Sequence, residues 1–382
     1  MFISLIGTWI QIIAESWLVF QLTNSPFLLG VVGFLGSMPI FFLSLFGGVA
    51  ADRINKRNIL LFTQTSFMVL AFILAFLTQF KLITAGQIML IALLNGIIMA
   101  FDAPSRQAVV VELVGKEHLL NAIALNSAAF NSSRLIGPAL AGILIAAIGM
   151  SGCFYINGIS FLAMIIALLL IRVNNNVKNE NNPEVLKALR EGLKFIKNNR
   201  LILILISVVG ITSLFGISYT LFMPVFARDI LKVGIKGLGW LMSAAGIGAL
   251  AAALILAKLY RLKYKGRFLI ISSLIFSFSL ILFSLSRSYL FSLFTLVLIG
   301  WSSVTAISLV NTMLQTLVPD NFRGRVMSAF MFTFAGLMPF GNLIAGSIAQ
   351  AWGVSLAVAM GGAICALFFA GTAIFYTPLR KI

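Results

Sequence analysis

Two charged side chains fall well inside long apolar runs of this sequence, Glu15 and Arg134. An Asp, Lys or Arg at the centre of a membrane helix costs roughly 2.5–3.5 kcal/mol, so ionisable groups at such depth usually face a cavity or each other. Glu15 ends a polar stripe of Ser4, Thr8, Gln11 and Glu15, whose 4-3-4 spacing sets all four on one helix face. Arg134 ends a second stripe, Ser127, Asn131 and Arg134. Three kinds of chemistry fit. A carboxyl that is unpaired at times can take up and release protons, because a low dielectric disfavours its charged form. A lasting Glu15–Arg134 ion pair would be a structural tie. Arg134 could instead receive the charge of a bound solute.

Other chemistry finds little support. The single histidine, His118, stands beside Lys116 and Glu117 in a hydrophilic stretch, where a solvated loop role is expected. There is no Cys/His metal spacing, no GxSxG elbow and no GxxxxGK[ST] phosphate loop. The sequence therefore points to no enzyme, no metal and no cofactor, and ATP cannot drive it directly. Cys153 and Cys365 lie far apart in or beside apolar runs and suggest no disulfide framework.

The elements that must position these residues are set by composition. Hydrophobic residues make up 60% of 382 positions and the mean hydropathy is +1.08, against roughly 45–50% apolar usage in soluble domains. A bilayer core about 30 Å thick takes about 20 apolar residues per helix. Twelve such runs occur, near 1–22, 27–49, 58–80, 84–101, 120–149, 152–171, 201–222, 237–257, 268–285, 289–311, 326–349 and 354–376. They are long and lack the ten-residue alternation of a membrane barrel, so the expected fold is an all-α membrane protein of twelve transmembrane helices.

A net charge of +17 would suggest nucleic acid in a soluble chain. Here its distribution gives another meaning. The loops 2–3, 4–5, 6–7, 8–9 and 10–11 with the C-terminal tail hold 21 of the 27 Lys and Arg, while the opposite loops hold Lys81, Arg228, Lys232, Lys236 and Arg287. By the positive-inside rule the rich side is cytoplasmic and both termini lie there. The charge then attracts anionic lipid headgroups. The first run lacks a basic n-region and a small-residue cleavage site and is read as a retained helix. The chain starts almost inside that helix, so a short upstream segment is expected to be missing.

The longest hydrophilic stretch, residues 172–200, divides a first six-helix bundle at 1–171 from a second at 201–382. Within it Val185, Leu186, Leu189, Leu193 and Ile196 recur at helical spacing. That predicts an amphipathic helix on the membrane surface or a solvated linker helix. Shifted by 204 residues without a gap, "IGPALAG" at Ile136 faces "FGNLIAG" at Phe340, and Leu113/Leu317, Val114/Val318, Gly137/Gly341, Ala141/Ala345 and Gly142/Gly346 coincide. Two pseudo-symmetric bundles related about the membrane normal imply a site near the midplane and a rocking motion. The repeat matches Pro138 with Asn342, so the bend of the fifth helix should lack a counterpart.

One cluster of charges stands out between two apolar runs: "GGVAADRINKRN" at Gly47–Asn58 carries Asp52, Arg53, Lys56 and Arg57. From Gly48 to Arg57 it resembles the loop 2–3 signature of the major facilitator superfamily, except that Asn55 stands where a glycine is usual. "GTWIQIIAESWLVFQLTNSPFLLG" and "DAPSRQAVVVELV…NAIALNS…RLIGPALAG" resemble the bacterial exporter group of transmembrane secretion effectors that includes the enterobactin exporter. Asp52 at the end of the second helix could cap a neighbouring helix N-terminus. Lys56 or Arg57 could pair with Asp102. The resemblance implies that Gly48, Asp52, Arg53, Lys56, Arg57 and Asp102 latch a cytoplasmic gate. The basic residues could equally serve as topology anchors alone.

"GPALAG" on the fifth helix, with Gly137, Pro138 and Gly142, resembles the antiporter motif of the superfamily, which implies export. Proline there frees a carbonyl and small residues allow close helix contact, so plain packing is the alternative. In the facilitator fold helices 1, 4, 7 and 10 line the central path. That resemblance makes Thr8, Gln11, Asn95, Asn131 and the tenth-helix stripe Trp301, Thr305, Ser308, Thr312 and Gln315 cavity candidates; interhelical hydrogen bonding is the other reading. With 34 Phe and no acidic residue inside the second helix set, an amphipathic or aromatic solute fits better than a sugar or small ion. The expectation is a monomeric, proton-coupled exporter of an amphipathic drug or siderophore in the inner membrane of a bacterium. An uncoupled lipid or solute facilitator, or a non-transporting scaffold or receptor, remains open.

Overall fold

A computed structural model of the chain describes residues 1–114, 118–171, 185–258 and 264–381. All regular structure among the described residues is helical. The first helices are α1 (Phe2–Thr23), α2 (Pro26–Arg53), α3 (Lys56–Gln79) and α4 (Ala85–Val114). Next come α5 (Leu119–Leu170), the short α6 (Val185–Asn198) and α7 (Arg200–Ile211). The chain then runs through π and 3₁₀ turns to Ile230, with α8 (Met223–Val225) between them. The remainder is α9 (Gly234–Lys258), α10 (Lys265–Leu285), α11 (Tyr289–Leu317), α12 (Asp320–Trp352) and α13 (Val354–Phe375).

Eleven of the described segments are long and apolar enough to cross a membrane. One of them, Ala128–Leu170, has 43 residues, far more than one crossing needs. It is broken at Gly149, whose φ of 75° and ψ of 177° leave the helical region, so α5 comprises two arms. A left-handed φ there suits only glycine, and each arm, at about twenty residues, is long enough for one crossing, which agrees with the twelve apolar runs of the sequence.

Local chemistry explains the helix boundaries. Asn24 ends α1 in the left-handed conformation, its N–H donating to Phe20 O at 2.9 Å. Ser25 then caps α2, with Pro26 in its first turn. Asn55 caps α3: its Oδ1 accepts from the Arg57 N–H at 2.9 Å with a φ of −56°. The residue that departs from the usual glycine thus works as a cap in a turn that needs no glycine.

The chain forms two compact units. The first comprises Met1–Glu180 with Lys232–Ser243, and in it α1 and α3 pack chiefly on α5 and α2 on α4. Gly47 lets α2 approach α4 closely, because a Cβ there would strike the Ala100 carbonyl. The second comprises Asn181–Leu231 with Ala244–Ile382, where α10 packs on α11 and α13, and α12 on α13 and the π turn at Thr212–Gly216. Its core joins Leu205, Val209, Leu309, Val310, Met313 and Phe330.

Helix α6 belongs to this second unit. Ile196 is buried in its core, Gly192 lies against Arg325 of α12, and Phe195 stacks on Phe322 with centroids 4.4 Å apart and planes 5° apart. Leu193, placed by its spacing on the apolar face, is 61% exposed. The packed face is therefore rotated towards Phe195, because Phe322 offers that ring a flat partner. Pro339 stands within α12 one turn before Asn342, so the second repeat also carries a helix proline, shifted from the place the repeat assigns.

Candidate functional site

In the first unit α1 carries Gln11 against the second arm of α5. The Asn157 amide donates to Gln11 Oε1 at 2.6 Å, and Ser160 Oγ donates to Asn157 Oδ1 at 3.2 Å. Gly7 makes this possible, since a Cβ at that position would stand 2.5 Å from Ser160 Oγ. Glu15 stands one turn beyond Gln11 on the same face of α1. Ser160, Asn157 and Gln11 thus form a hydrogen-bonded polar path that leads towards Glu15, with Asn157 2% and Gln11 8% exposed. Thr8 donates to its own helix at Ser4 O.

Arg134 does not close this path. No ion pair joins it to Glu15 among the described residues. The reason is axial register. Trp9 of α1 packs on Gly137 of the first arm of α5. With both segments running the same way, Arg134 lies three residues before that contact and Glu15 six beyond, about 13 Å apart along the axis at ~1.5 Å per residue. Both side chains are half-buried, as are Asn95 and Asn131.

A second cluster joins α3, α4 and the end of α5. Asp102, 1% exposed, accepts from Thr63 Oγ1 at 2.8 Å, Gln64 Nε2 at 2.7 Å and both Nε and Nη2 of Arg106 at 3.1 and 2.6 Å. Its cation is therefore Arg106, and neither Lys56 nor Arg57 takes that place. Lys56 pairs with Glu112 at 2.6 Å. Arg57 donates to Leu168 O at 2.6 Å and Leu169 O at 2.8 Å, a cation on the last carbonyls of α5. An arginine one turn after Asp102 satisfies it locally, while the α3 N-terminus carries Lys56 towards α4 one turn from its end. Arg53 is exposed, Gly48 faces open space, and the Asp52 side chain lies outside the described residues.

On the first arm of α5, Gly137, Pro138 and Gly142 are buried. A Cβ on Gly142 would stand 3.1 Å from Ile235 O and 3.3 Å from Gly239 Cα. Ser243 Oγ donates to Leu135 O at 2.8 Å. All of these lie within the first unit, which includes Lys232–Ser243. In the second unit the α11 stripe divides. Thr305 is 1% exposed and its Oγ1 finds no partner among the described residues, so it points into packing and not onto a shared open face. Ser308 is half-buried, Thr312 is exposed, and Trp301 meets Phe268 edge-on.

The spacing of Glu15 and Gln11 on one face was readable in the sequence. Asn157, Ser160, Thr63, Gln64 and Glu112 were missed; the only local signal was a polar side chain within or at the end of an apolar run. His118 is exposed, and no group of three or more His, Cys, Asp or Glu stands together among the described residues.

Many membrane-crossing helices, broken and closely packed at glycine and proline, with polar groups gathered inside, define a multi-pass membrane transporter. A family profile described as transmembrane secretion effector matches residues 1–382, and the chain belongs to that family of the major facilitator fold. It is 29% identical over 388 residues to the staphyloferrin A transporter of Staphylococcus aureus, covering 100% of this chain and 95% of that one. It is 23% identical to the multidrug efflux pump Tap of Mycolicibacterium fortuitum, covering 98% and 93%. With the enterobactin exporter EntS of Shigella boydii it shares 26% identity over 85% of this chain and 77% of that one. Among solved structures, a D-xylose-proton symporter superposes with a TM-score of 0.79 at 11% identity, covering 100% and 98%, which shows the fold alone.

Proposed function

We propose that this chain is a proton-coupled exporter of an amphipathic small molecule, of the siderophore or drug type, in the cytoplasmic membrane of a bacterium. One observation carries the reading: Glu15 has no cationic partner among the described residues and stands one turn beyond Gln11, which holds the buried Asn157. A half-buried carboxylate without a fixed cation can exchange its proton in a way that an ion pair cannot. The relatives named for siderophore and multidrug transport support the substrate class. A monomer works by alternating access, with 1–171 and 201–382 as its moving halves and 172–200 as linker.

Roles follow on the same reading. Both termini lie in the cytoplasm, where the Lys and Arg excess belongs. Gly48, Asp52, Arg53, Lys56, Arg57 and Asp102 act as the gate on that side, and Gly137, Pro138 and Gly142 as the export motif. Asn95, Asn131, Trp301, Ser308 and Thr312 contact the solute, joined by Thr8, Gln11 and Thr305 when helices shift, and Arg134 takes the solute's anionic groups.

The test uses liposomes holding a pH-sensitive dye, a panel of amphipathic and siderophore-like solutes, and wild type beside Glu15→Gln. Solute-driven proton movement that disappears in the variant is the expected result. Solute flux with no proton movement in either protein sinks the coupling.

A further inference from the structure

Helix α3 turns Val69, Ile73 and Phe76 outward, all more than 40% exposed, and the second arm of α5 does the same with Ile159 and Ile166. In a multi-pass membrane protein such stripes meet lipid tails, which are as apolar as leucine. Between the two helices lies a shallow, open groove of about 440 Å³ lined by Phe72, Ile73, Phe76, Leu77 and Tyr155. Its wall is held in place. Phe72 lies over Gly158, where a Cβ would come within 2.8 Å of the ring, and tilts against Tyr155 at 6.2 Å between centroids.

One end of the groove is polar. The Tyr155 hydroxyl donates to Gln79 Oε1 at 2.7 Å, and two residues on Lys81 is exposed in the left-handed turn, φ 57°, that follows the helix. From Phe72 to Gln79, about 10 Å at ~1.5 Å per residue, the lining passes from hydrocarbon to a hydrogen-bonding pair, and a cation follows. That is the order of a single anionic phospholipid: acyl chain, ester and glycerol, phosphate. Tyrosine suits the interface level and lysine attracts an anionic headgroup. We propose that this groove is a specific site for one anionic phospholipid of the leaflet that meets the C-terminal end of α3.

The test titrates the purified full chain with dioleoylphosphatidylglycerol or dioleoylphosphatidylcholine and counts adducts by native mass spectrometry. Expected is one saturable phosphatidylglycerol adduct, held about fivefold more tightly than phosphatidylcholine, the ratio given by ~1 kcal/mol for one lysine. Lys81→Ala should abolish that preference, and Ile73→Trp, which fills the groove, should abolish the adduct. In wild-type protein, phosphatidylglycerol with a photoreactive diazirine on its acyl chain should label Phe72–Leu77 and the neighbourhood of Tyr155. Unchanged binding by a folded Ile73→Trp, equal retention of the two lipids, or labelling spread evenly over the exposed helices overturns the proposal. Photolabelling needs no variant, so a misfolded Ile73→Trp does not remove the test.

Discussion

Asn157 donates its amide N–H to Gln11 Oε1 at 2.6 Å across 146 positions of sequence, tying α1 to the second arm of α5. Replacing Asn157 by leucine leaves the Gln11 carbonyl without this donor in a buried place, which costs about 1–3 kcal/mol in water-soluble cores. Hydrogen bonds between membrane helices average nearer 0.6 kcal/mol. Asn157→Leu should therefore lower stability in micelles by about 1 kcal/mol, measured by thermal unfolding, and should alter the pH dependence of transport through Glu15. A transport pH profile identical to wild type would detach Asn157 from any proton path.

The two glycines of "GGVAADRINKRN" separate by packing. Gly47 lies on the Ala100 backbone, while a methyl group added at Gly48 would have nothing within 4 Å of it. Gly47→Ala should spread α2 from α4 and lower both folded yield and transport. Gly48→Ala should be neutral or stabilising by up to about 1 kcal/mol, since alanine is the better helix former. Equal effects of the two substitutions on melting temperature would contradict the packing argument.

Much of this architecture is legible in the sequence, because a bilayer imposes length and apolarity on every crossing. The two arms of α5 read as separate runs at 120–149 and 152–171, and the break falls at Gly149, the last residue of the first run. Other features resist such reading. The π and 3₁₀ turns from Thr212 to Phe222 lie in an apolar run like any other. Ion pairs depend on register between distant helices: Asp102 is taken by Arg106 one turn away, which local spacing could have disclosed, but the Lys56–Glu112 pair depends on how α3 meets α4. The Glu15–Arg134 pair fails for the same reason, since adjacency of two helices says nothing of axial level.

Asp102 carries the heaviest electrostatic burden of the first unit. It is 1% exposed and receives four hydrogen bonds from Thr63, Gln64 and Arg106. Removing one member of a buried pair costs about 3–5 kcal/mol because the other charge is left uncompensated. Asp102→Ala should fold poorly, visible as aggregation in size-exclusion chromatography, and Arg106→Ala should be nearly as damaging. Lys56→Met and Glu112→Gln, at a partly exposed pair, should each cost under about 1 kcal/mol. A double-mutant cycle at Lys56 and Glu112 that exceeds the loss at Asp102 would reverse this ranking.

The attachment of α6 to α12 rests on two contacts of different kind. Arg325 pairs with Glu191 at 2.8 Å with both side chains at least a third exposed, a geometry worth about 0.2–1 kcal/mol and weakened by salt. Phe195 stacks on Phe322 at 4.4 Å, and an aromatic pair adds about 0.5–1.5 kcal/mol beyond its buried area. Phe195→Ala should therefore loosen α6 more than Glu191→Gln does. Limited trypsin digestion, followed by mass spectrometry of cleavage after Lys194 and Lys197, reads this directly, because both lysines are exposed and only helical backbone protects them. Faster cleavage in Phe195→Ala, and a rise with salt in wild type that Glu191→Gln lacks, is the expected pattern. The opposite order would make the ion pair the main attachment and the ring stack incidental.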